Sequence, residues 1–316
     1  MRNAKEHWAN KVEHTSVLGI KILFHLHRLF GKLPFRFALA PVVFCIWISD
    51  KKARQASNDY LQKAYTAGYL SHRPGTFTSL CHMFYFAETI LDKMLAIWSE
   101  QTTENLSVEN EALMSSLLAQ GKGAVVLTSH MGCVEALMHH GSHYKIPSIA
   151  LVHSANTAQY TRLVERSSAL GHLEFWEVTE LNPASIMKLE EKCQKGYFIF
   201  IAGDRIPIHS KAVVPVSFLG SEAYLPTGGV ILAHMLGLPL LSMTCWREET
   251  SAFGDLKGQN RYRVRFAKLA DQLRLPRGKR DQECQRLMQQ YAMELEHGLK
   301  ESPLDWFNFY RFWGAS

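Results

Sequence analysis

The apolar positions change period along the chain. From Val17 to Ser49, "VLGIKILFHLHRLFGKLPFRFALAPVVFCIWIS", Leu, Ile, Phe and Trp recur between isolated basic residues at helical spacing. "KKARQASNDYLQKAYTAG" and "SLCHMFYFAETILDKMLAIW" continue that period as far as Trp98. Beyond it, short β-branched runs alternate with helical stretches. The runs predict strands at Ala124–Thr128, Ser148–Val152, Phe175–Val178, Tyr197–Ala202 and Pro239–Cys245. Strict alternation in "RYRVRF" predicts an edge strand at Arg261–Phe266. Helices are expected at Glu109–Gln120, Val134–Gly141, Ala155–Leu170, Pro183–Lys195, Gly228–Leu236 and Asp281–Lys300. Such alternation is the pattern of an α/β fold, a mostly parallel central sheet flanked by helices. No internal repeat or low-complexity linker interrupts it. The expected organisation is an N-terminal helical segment, residues 1–54, followed by a single α/β domain, residues 55–316.

Charge changes this picture at one end. The net charge is +6, and residues 1–54 carry 10 Lys/Arg against 3 Asp/Glu, whereas the remainder carries 25 against 26. A basic block suits nucleic acid or an anionic membrane, and here the basic residues are interleaved with apolar ones, which favours the membrane and not nucleic acid. The uncharged run from Phe37 to Ser49 has 13 residues, short of the roughly 20 that span a bilayer. It also lacks the order of a signal peptide. The segment therefore predicts a basic amphipathic anchor lying in the interface, with Trp and Phe in the apolar layer and Lys/Arg on lipid phosphates. The competing reading is a helix pair packed on the protein's own core. Six scattered cysteines without a CxxC pair exclude a zinc ribbon or a disulfide framework.

Open α/β sheets carry their reactive groups beyond the carboxyl ends of strands. "VVLTSH" and "YFIFIAGDR" put His130 and Asp204 there. Glu135 follows His130 by five residues, and His172 and Glu177 repeat that spacing, but His172 precedes its strand. With a helix starting near Gly132, Glu135 falls in the first turn. Its side chain then leans back toward His130, and the helix dipole favours its ionised form. A carboxylate holding one imidazole nitrogen leaves the other as a base, the orienting half of a catalytic triad whose nucleophile is the substrate's own hydroxyl or amine. Gly132 permits a tight turn and close approach of a substrate. On local sequence a plainer reading stands level: Ser129 caps the helix, Glu135 is a first-turn preference and His130 is solvated. Cys133 as nucleophile is weaker, since a buried helical cysteine is the commoner fate. So is a metal held by His130, Glu135 and His139, with His140 and His143 nearby, because no second-shell pattern accompanies it. No metal and no cofactor are expected. G-x-S-x-G, P-loop, G-x-G-x-x-G and HExxH motifs are all absent.

At these residues the chain resembles a known family. "SHMGCVE" after a strand is similar to the His-x4-Asp/Glu motif of the glycerolipid-type acyltransferase superfamily, and more narrowly of the bacterial late acyltransferases of lipid A biosynthesis. "GYFIFIAGDRIP" resembles the family's strand ending in an Asp, here Asp204. Phe218, Gly220, Thr227, Gly228, Ala233, Gly237 and Pro239 follow in the family's order, and "SPLDWFNFYRFW" is similar to its Pro-x-x-Trp-x-x-aromatic ending. The likeness runs from about Trp8 to Trp313. It implies His130 as general base, Glu135 as its partner, and acyl carrier protein as thioester donor. It further implies a functional Asp204, and an oxyanion or phosphate site at Arg205 or at backbone N–H groups near Gly132. Thr227 and Gly228 would line the substrate site. An Arg-rich stretch of the family has only Arg162 and Arg166 as counterparts. The acceptor implied is a lipid or glycolipid, either lipid A or that of relatives serving aryl polyene pigment or phosphatidylinositol mannoside synthesis. The location implied is the cytoplasmic face of a bacterial inner membrane.

Two further regions bear on partners. Lys257 to Arg280 holds nine Lys/Arg and one acid, Asp271. Arg261, Arg263, Arg265 and Lys268 form either a landing patch for acidic acyl carrier protein or a solvated hairpin. Trp306, Phe307, Phe309, Tyr310, Phe312 and Trp313 are an interfacial aromatic belt or a cover for the sheet. From other classes, a non-catalytic lipid-binding protein or a membrane-associated hydrolase also suits the anchor. Neither needs His130, Glu135 and Asp204 together.

Overall fold

A computed structural model describes residues 17–97, 105–137, 146–153, 172–207, 212–248, 260–276 and 278–313. The expected helix Ala155–Leu170, with Arg162 and Arg166, lies outside the described residues, as do His139, His140 and His143.

Four helices come first: α1 (Val17–Phe30), α2 (Lys32–Ser49), α3 (Lys51–Thr66) and α4 (Thr76–Ile97). Asp50 separates α2 from α3 and caps the latter, its carboxylate accepting from the backbone N–H of Ala53 at 2.9 Å. The helix α2 is apolar on both sides, burying Phe35, Leu39 and Val43 together with Lys32. Lys32 is buried and donates to Asn260 Oδ1 at 2.6 Å, and Arg36 pairs with Glu88 of α4. Phe37, Phe44, Ile46 and Ile48 face outward, Phe37 with 77% of its surface exposed. The expected contact of Lys32 and Arg36 with lipid phosphates is thereby corrected, because internal carboxylate and amide oxygens satisfy these cations. By length and composition α2 is apolar enough to cross a membrane. Its two cations point into the protein beside Phe35, Leu39 and Val43, which pack in a core with α4, and a second set of apolar side chains is left exposed on the outward side.

The chain then builds a seven-stranded sheet from β1 (Leu106–Glu109), β2 (Val125–Thr128), β3 (Ser148–Val152), β4 (Leu173–Glu177), β5 (Phe198–Ala202), β8 (Leu240–Arg247) and β9 (Tyr262–Ala270). A separate antiparallel hairpin holds β6 (Val213–Phe218) and β7 (Ser221–Pro226). Between them come α5 (Ala112–Ala119), α6 (Pro183–Cys193) and α7 (Gly228–Leu236), and α8 (Arg280–Glu301) follows β9. The sheet order is β1-β9-β8-β2-β5-β3-β4, with β8, β2, β5, β3 and β4 mutually parallel and β9 antiparallel to β8.

The strand around "RYRVRF" is longer than expected and is not at the edge. The unanticipated β1 pairs outside it, in parallel, and the alternation arises because Tyr262, Val264 and Phe266 are buried while Arg263 and Arg265 point out. Along β2 the alternation divides two cores. Val125 and Leu127 pack toward Leu287, Tyr291 and Leu295 of α8, and Ala124 and Val126 pack with Phe198, Met243 and Val264 on the other face. Burial on both faces explains the uninterrupted apolar run of β2.

Candidate active site

Adjacency of β2 and β5 builds the site. Their register pairs Thr128 with Ala202, so the chain leaves both strands side by side and Asp204 arrives next to His130. The carboxylate of Asp204 is fully buried. Its Oδ1 lies 2.8 Å from His130 Nδ1, and its Oδ2 accepts from the backbone N–H of His130 at 2.8 Å. The same oxygen accepts from the indole N–H of Trp306 at 3.1 Å and the amide of Asn308 at 3.0 Å. Burial alone would raise this carboxyl, but His130, through its ring and its backbone N–H, and the adjacent Arg205 outweigh it and hold it at about 2. With Asp204 ionised, His130 Nδ1 carries the proton that points at it, and Nε2 presents a lone pair. Burial and the Arg205 charge keep the His130 ring below its ordinary value, so it is neutral and basic near pH 7. The side chain remains 34% exposed, enough for a substrate to reach it.

Glu135 is placed differently from the sequence expectation. The carboxylate on the His130 ring is Asp204, whereas Glu135 accepts from Lys93 of α4 at 3.0 Å. The reason lies in the turn after β2. Only residues 135–137 of the described chain are helical there, so Glu135 opens the helix on the side facing α4. Burial opposes the Lys93 charge, but Glu135 outweighs it and holds the ammonium above its ordinary value. Cys133 is fully buried beside Glu135, and both effects push its thiol well above the usual range. That removes the thiolate a nucleophilic Cys133 would need.

Gly132 has φ +59°, and a Cβ there would lie 2.5 Å from the Cys245 carbonyl oxygen. Its N–H donates to the Asp305 carbonyl at 2.9 Å, and that of His130 is taken by Asp204. The N–H groups of Gly132 and His130 are thus spent inside the protein and do not serve an oxyanion. Arg205 remains close to His130. It is oriented by Nε donating to Asn308 Oδ1 at 2.8 Å and Nη2 donating to the Phe307 carbonyl at 3.1 Å. Thr227 and Gly228 lie at the corner between β7 and α7, where the Thr227 N–H and hydroxyl donate to the Ala212 carbonyl at 3.0 and 3.2 Å. They make no hydrogen bond to His130, Asp204 or Arg205.

The segment after α8 completes the site and was not anticipated as part of it. From Ser302 to Trp313 it crosses the carboxyl ends of β2 and β5 as a strap. Phe307 N–H donates to the His130 carbonyl at 2.8 Å, and Met131 bridges to Trp306. Trp306 is buried among Tyr60, Phe218, Phe312 and Trp313. The terminal aromatics cover the sheet, with Trp306, Phe307, Phe312 and Trp313 buried, which decides between the core and the interfacial belt. His82 of α4 holds the strap from beneath, with Nε2 2.9 Å from the Trp306 carbonyl and Nδ1 2.9 Å from Ser57 Oγ. On the outer surface, Arg263 pairs with Glu109 and Glu248, Arg265 with Glu109 and Glu294, and Lys268 with Asp271. Much of that basic patch is thus neutralised within the protein.

A family model described as bacterial lipid A biosynthesis acyltransferase matches residues 76–314, from α4 through the strap. A search of curated proteins finds no match.

Proposed function

As the chain belongs to the bacterial lipid A biosynthesis acyltransferase family, we propose that it moves a fatty acyl group from an acyl carrier protein thioester to a hydroxyl of a lipid or glycolipid acceptor, with His130 as general base. The observation that carries this reading is the partly exposed His130, whose Nδ1 is held by the buried, ionised Asp204. Nε2 takes the proton of the acceptor hydroxyl as its oxygen attacks the thioester carbonyl. The carbon–sulfur bond then breaks, and the imidazolium returns that proton to the departing thiolate. Asp204 stabilises the imidazolium in between, the role of the carboxylate in a triad. Base catalysis of this kind contributes about 10²–10⁴-fold. Arg205, fixed by Asn308 and the Phe307 carbonyl, supplies positive charge beside the developing oxyanion. The Lys93–Glu135 pair fixes the turn that carries His130. Docking at the surface of the inner membrane, through the outward apolar face of α2, brings the site to a lipid acceptor.

The test is transfer from lauroyl-, myristoyl- and palmitoyl-acyl carrier protein to extracted bacterial envelope lipids, read by mass spectrometry for the wild type and His130→Ala. A newly acylated lipid formed by the wild type alone supports the reading and names the acceptor. Free fatty acid released as fast as thioester is lost identifies water as the acceptor instead. Thioester and lipids left untouched by the wild type would overturn it.

A further inference from the structure

The side chain of Asn308 has two hydrogen-bonding ends, and both are spent on charged groups of the site. Nδ2 donates to Asp204 Oδ2 at 3.0 Å, and Oδ1 accepts from Arg205 Nε at 2.8 Å. The residue is buried. An amide suits this position because it offers a donor to the anion and an acceptor to the cation at once. A carboxylate would repel Asp204, and an aliphatic side chain would serve neither.

The strap does not depend on this side chain for its seat. Asp305 accepts from the Arg247 N–H at 2.5 Å and from Ser302 Oγ at 2.9 Å. The Asp305 carbonyl takes the Gly132 N–H, Phe307 N–H binds the His130 carbonyl, and Trp306 fills an aromatic core. Backbone and aromatic contacts hold the segment, while the Asn308 amide addresses Asp204 and Arg205. We propose that Asn308 is a positioning residue for the acyl transfer, tempering the negative charge of Asp204 and aiming the Arg205 guanidinium. The proposal rests on the reading of His130 as the base.

Its consequence reaches His130 through Asp204. The titratable and charged groups facing the ring are Asp204 and Arg205 beyond β5 and Lys93 of α4, with Glu135 on Lys93. From α8, Tyr291 binds the Thr128 carbonyl, and from the strap Tyr310 binds that of Asp204. Asn308 is the one side-chain amide on the strap, and it contacts both Asp204 and Arg205. Withdrawing its N–H leaves more negative charge on Asp204, which favours the imidazolium, and a carboxylate in its place favours it further.

The test compares wild type, Asn308→Ala, Asn308→Asp and His130→Ala in the same transfer assay across pH, together with NMR titration of the His130 imidazole. Asn308→Ala is expected to lower kcat by about 10–100-fold, as loss of partners that orient a reactive group does, with KM changed far less. Asn308→Asp, nearly isosteric, is expected to move the acid limb of kcat/KM and the imidazole titration to higher pH, by up to about one unit. Two results overturn the proposal. Either both variants stay within threefold of wild type with an unmoved limb, or activity falls only in step with the folded fraction and the titration stays put. If the alanine variant fails to fold, the aspartate variant and its titration decide. Transfer retained by His130→Ala would sink the functional reading itself; transfer lost there but intact in both Asn308 variants would sink this inference alone.

Discussion

Replacing Asp204 by Asn separates the carboxylate that serves His130 from the one that does not. Three donors converge on Oδ2: the His130 N–H at 2.8 Å, the Trp306 indole at 3.1 Å and the Asn308 amide at 3.0 Å. In Asp204→Asn they hold the amide oxygen at that position, so the new NH2 faces His130 Nδ1. The opposite orientation would set NH2 against three buried donors, at a cost of about 1–3 kcal/mol each. With a donor facing it, Nδ1 becomes the acceptor and the ring proton moves to Nε2, where the base is needed. The variant therefore keeps its shape and loses its base. The expected fall in kcat is about 10²–10⁴-fold, the range general base catalysis supplies, with substrate affinity nearly preserved. Glu135→Gln leaves Lys93 an oxygen to bind, and its expected loss is within about tenfold because it removes neither base nor orienting group. Single-turnover transfer from an acyl carrier protein thioester measures both, with circular dichroism verifying the fold. Asp204→Asn within tenfold of wild type, or Glu135→Gln losing as much as Asp204→Asn, would refute the assignment of Asp204 as the orienting carboxylate.

Three other outcomes follow from the same structure. Lys93→Met removes an ammonium from the buried Glu135 carboxylate and should lower unfolding stability by about 1–3 kcal/mol, below the cost for a fully enclosed pair because Lys93 is partly exposed. Denaturant unfolding of Lys93→Met, Glu135→Gln and the double variant should show non-additivity, and simple additivity would count against the pair. His82 is held by burial at about 4 against an ordinary 6.5, so the unfolded chain binds more protons between those values. Stability is then complete above about pH 6.5 and falls as the pH drops toward 4, by about 2 kcal/mol at pH 5; an unchanged acid dependence in His82→Gln would contradict this. Phe37→Glu with Ile48→Glu should cut flotation with vesicles at least about tenfold, since each buried apolar side chain contributes about 1.5–3 kcal/mol, and undiminished flotation would rule out α2 as the contact.

Where the sequence was informative, the reason is local. Ser148–Val152 is a strand with the expected bounds, and β2 and β5 each begin one residue late, because doubly buried strands write themselves as apolar runs. Strand β1 was illegible, since "LSVE" is short and partly polar. The β6–β7 hairpin was illegible for another reason: it turns through Leu219 and Gly220 at φ 51° and 69°, and Leu carries none of the Asn or Asp signal such a turn ordinarily shows. His130 could be found from its position beyond a strand. Asp204 was placed beyond its strand in the same way, but its functional role entered only by resemblance, and only the pairing of β2 with β5 brings it to the ring. Lys93 and Asn308 had no local signal at all. One sits in an apolar helix and the other among aromatics, and their contacts span 42 and 104 residues of sequence.

The strap also gives the site a schedule. The helices bearing the exposed apolar face lie at residues 17–49, and the donors that complete Asp204 lie at 306 and 308. At a synthesis rate of about 5–20 residues per second, some 250 residues separate the two events by about 10–50 s. A nascent chain thus has its exposed apolar helices long before it has the groups that complete Asp204. Over the last 102 residues before Trp306, Asp204 is already made but lacks the indole and amide that fix it, so on the proposed mechanism the base is completed only when the strap folds back over the sheet.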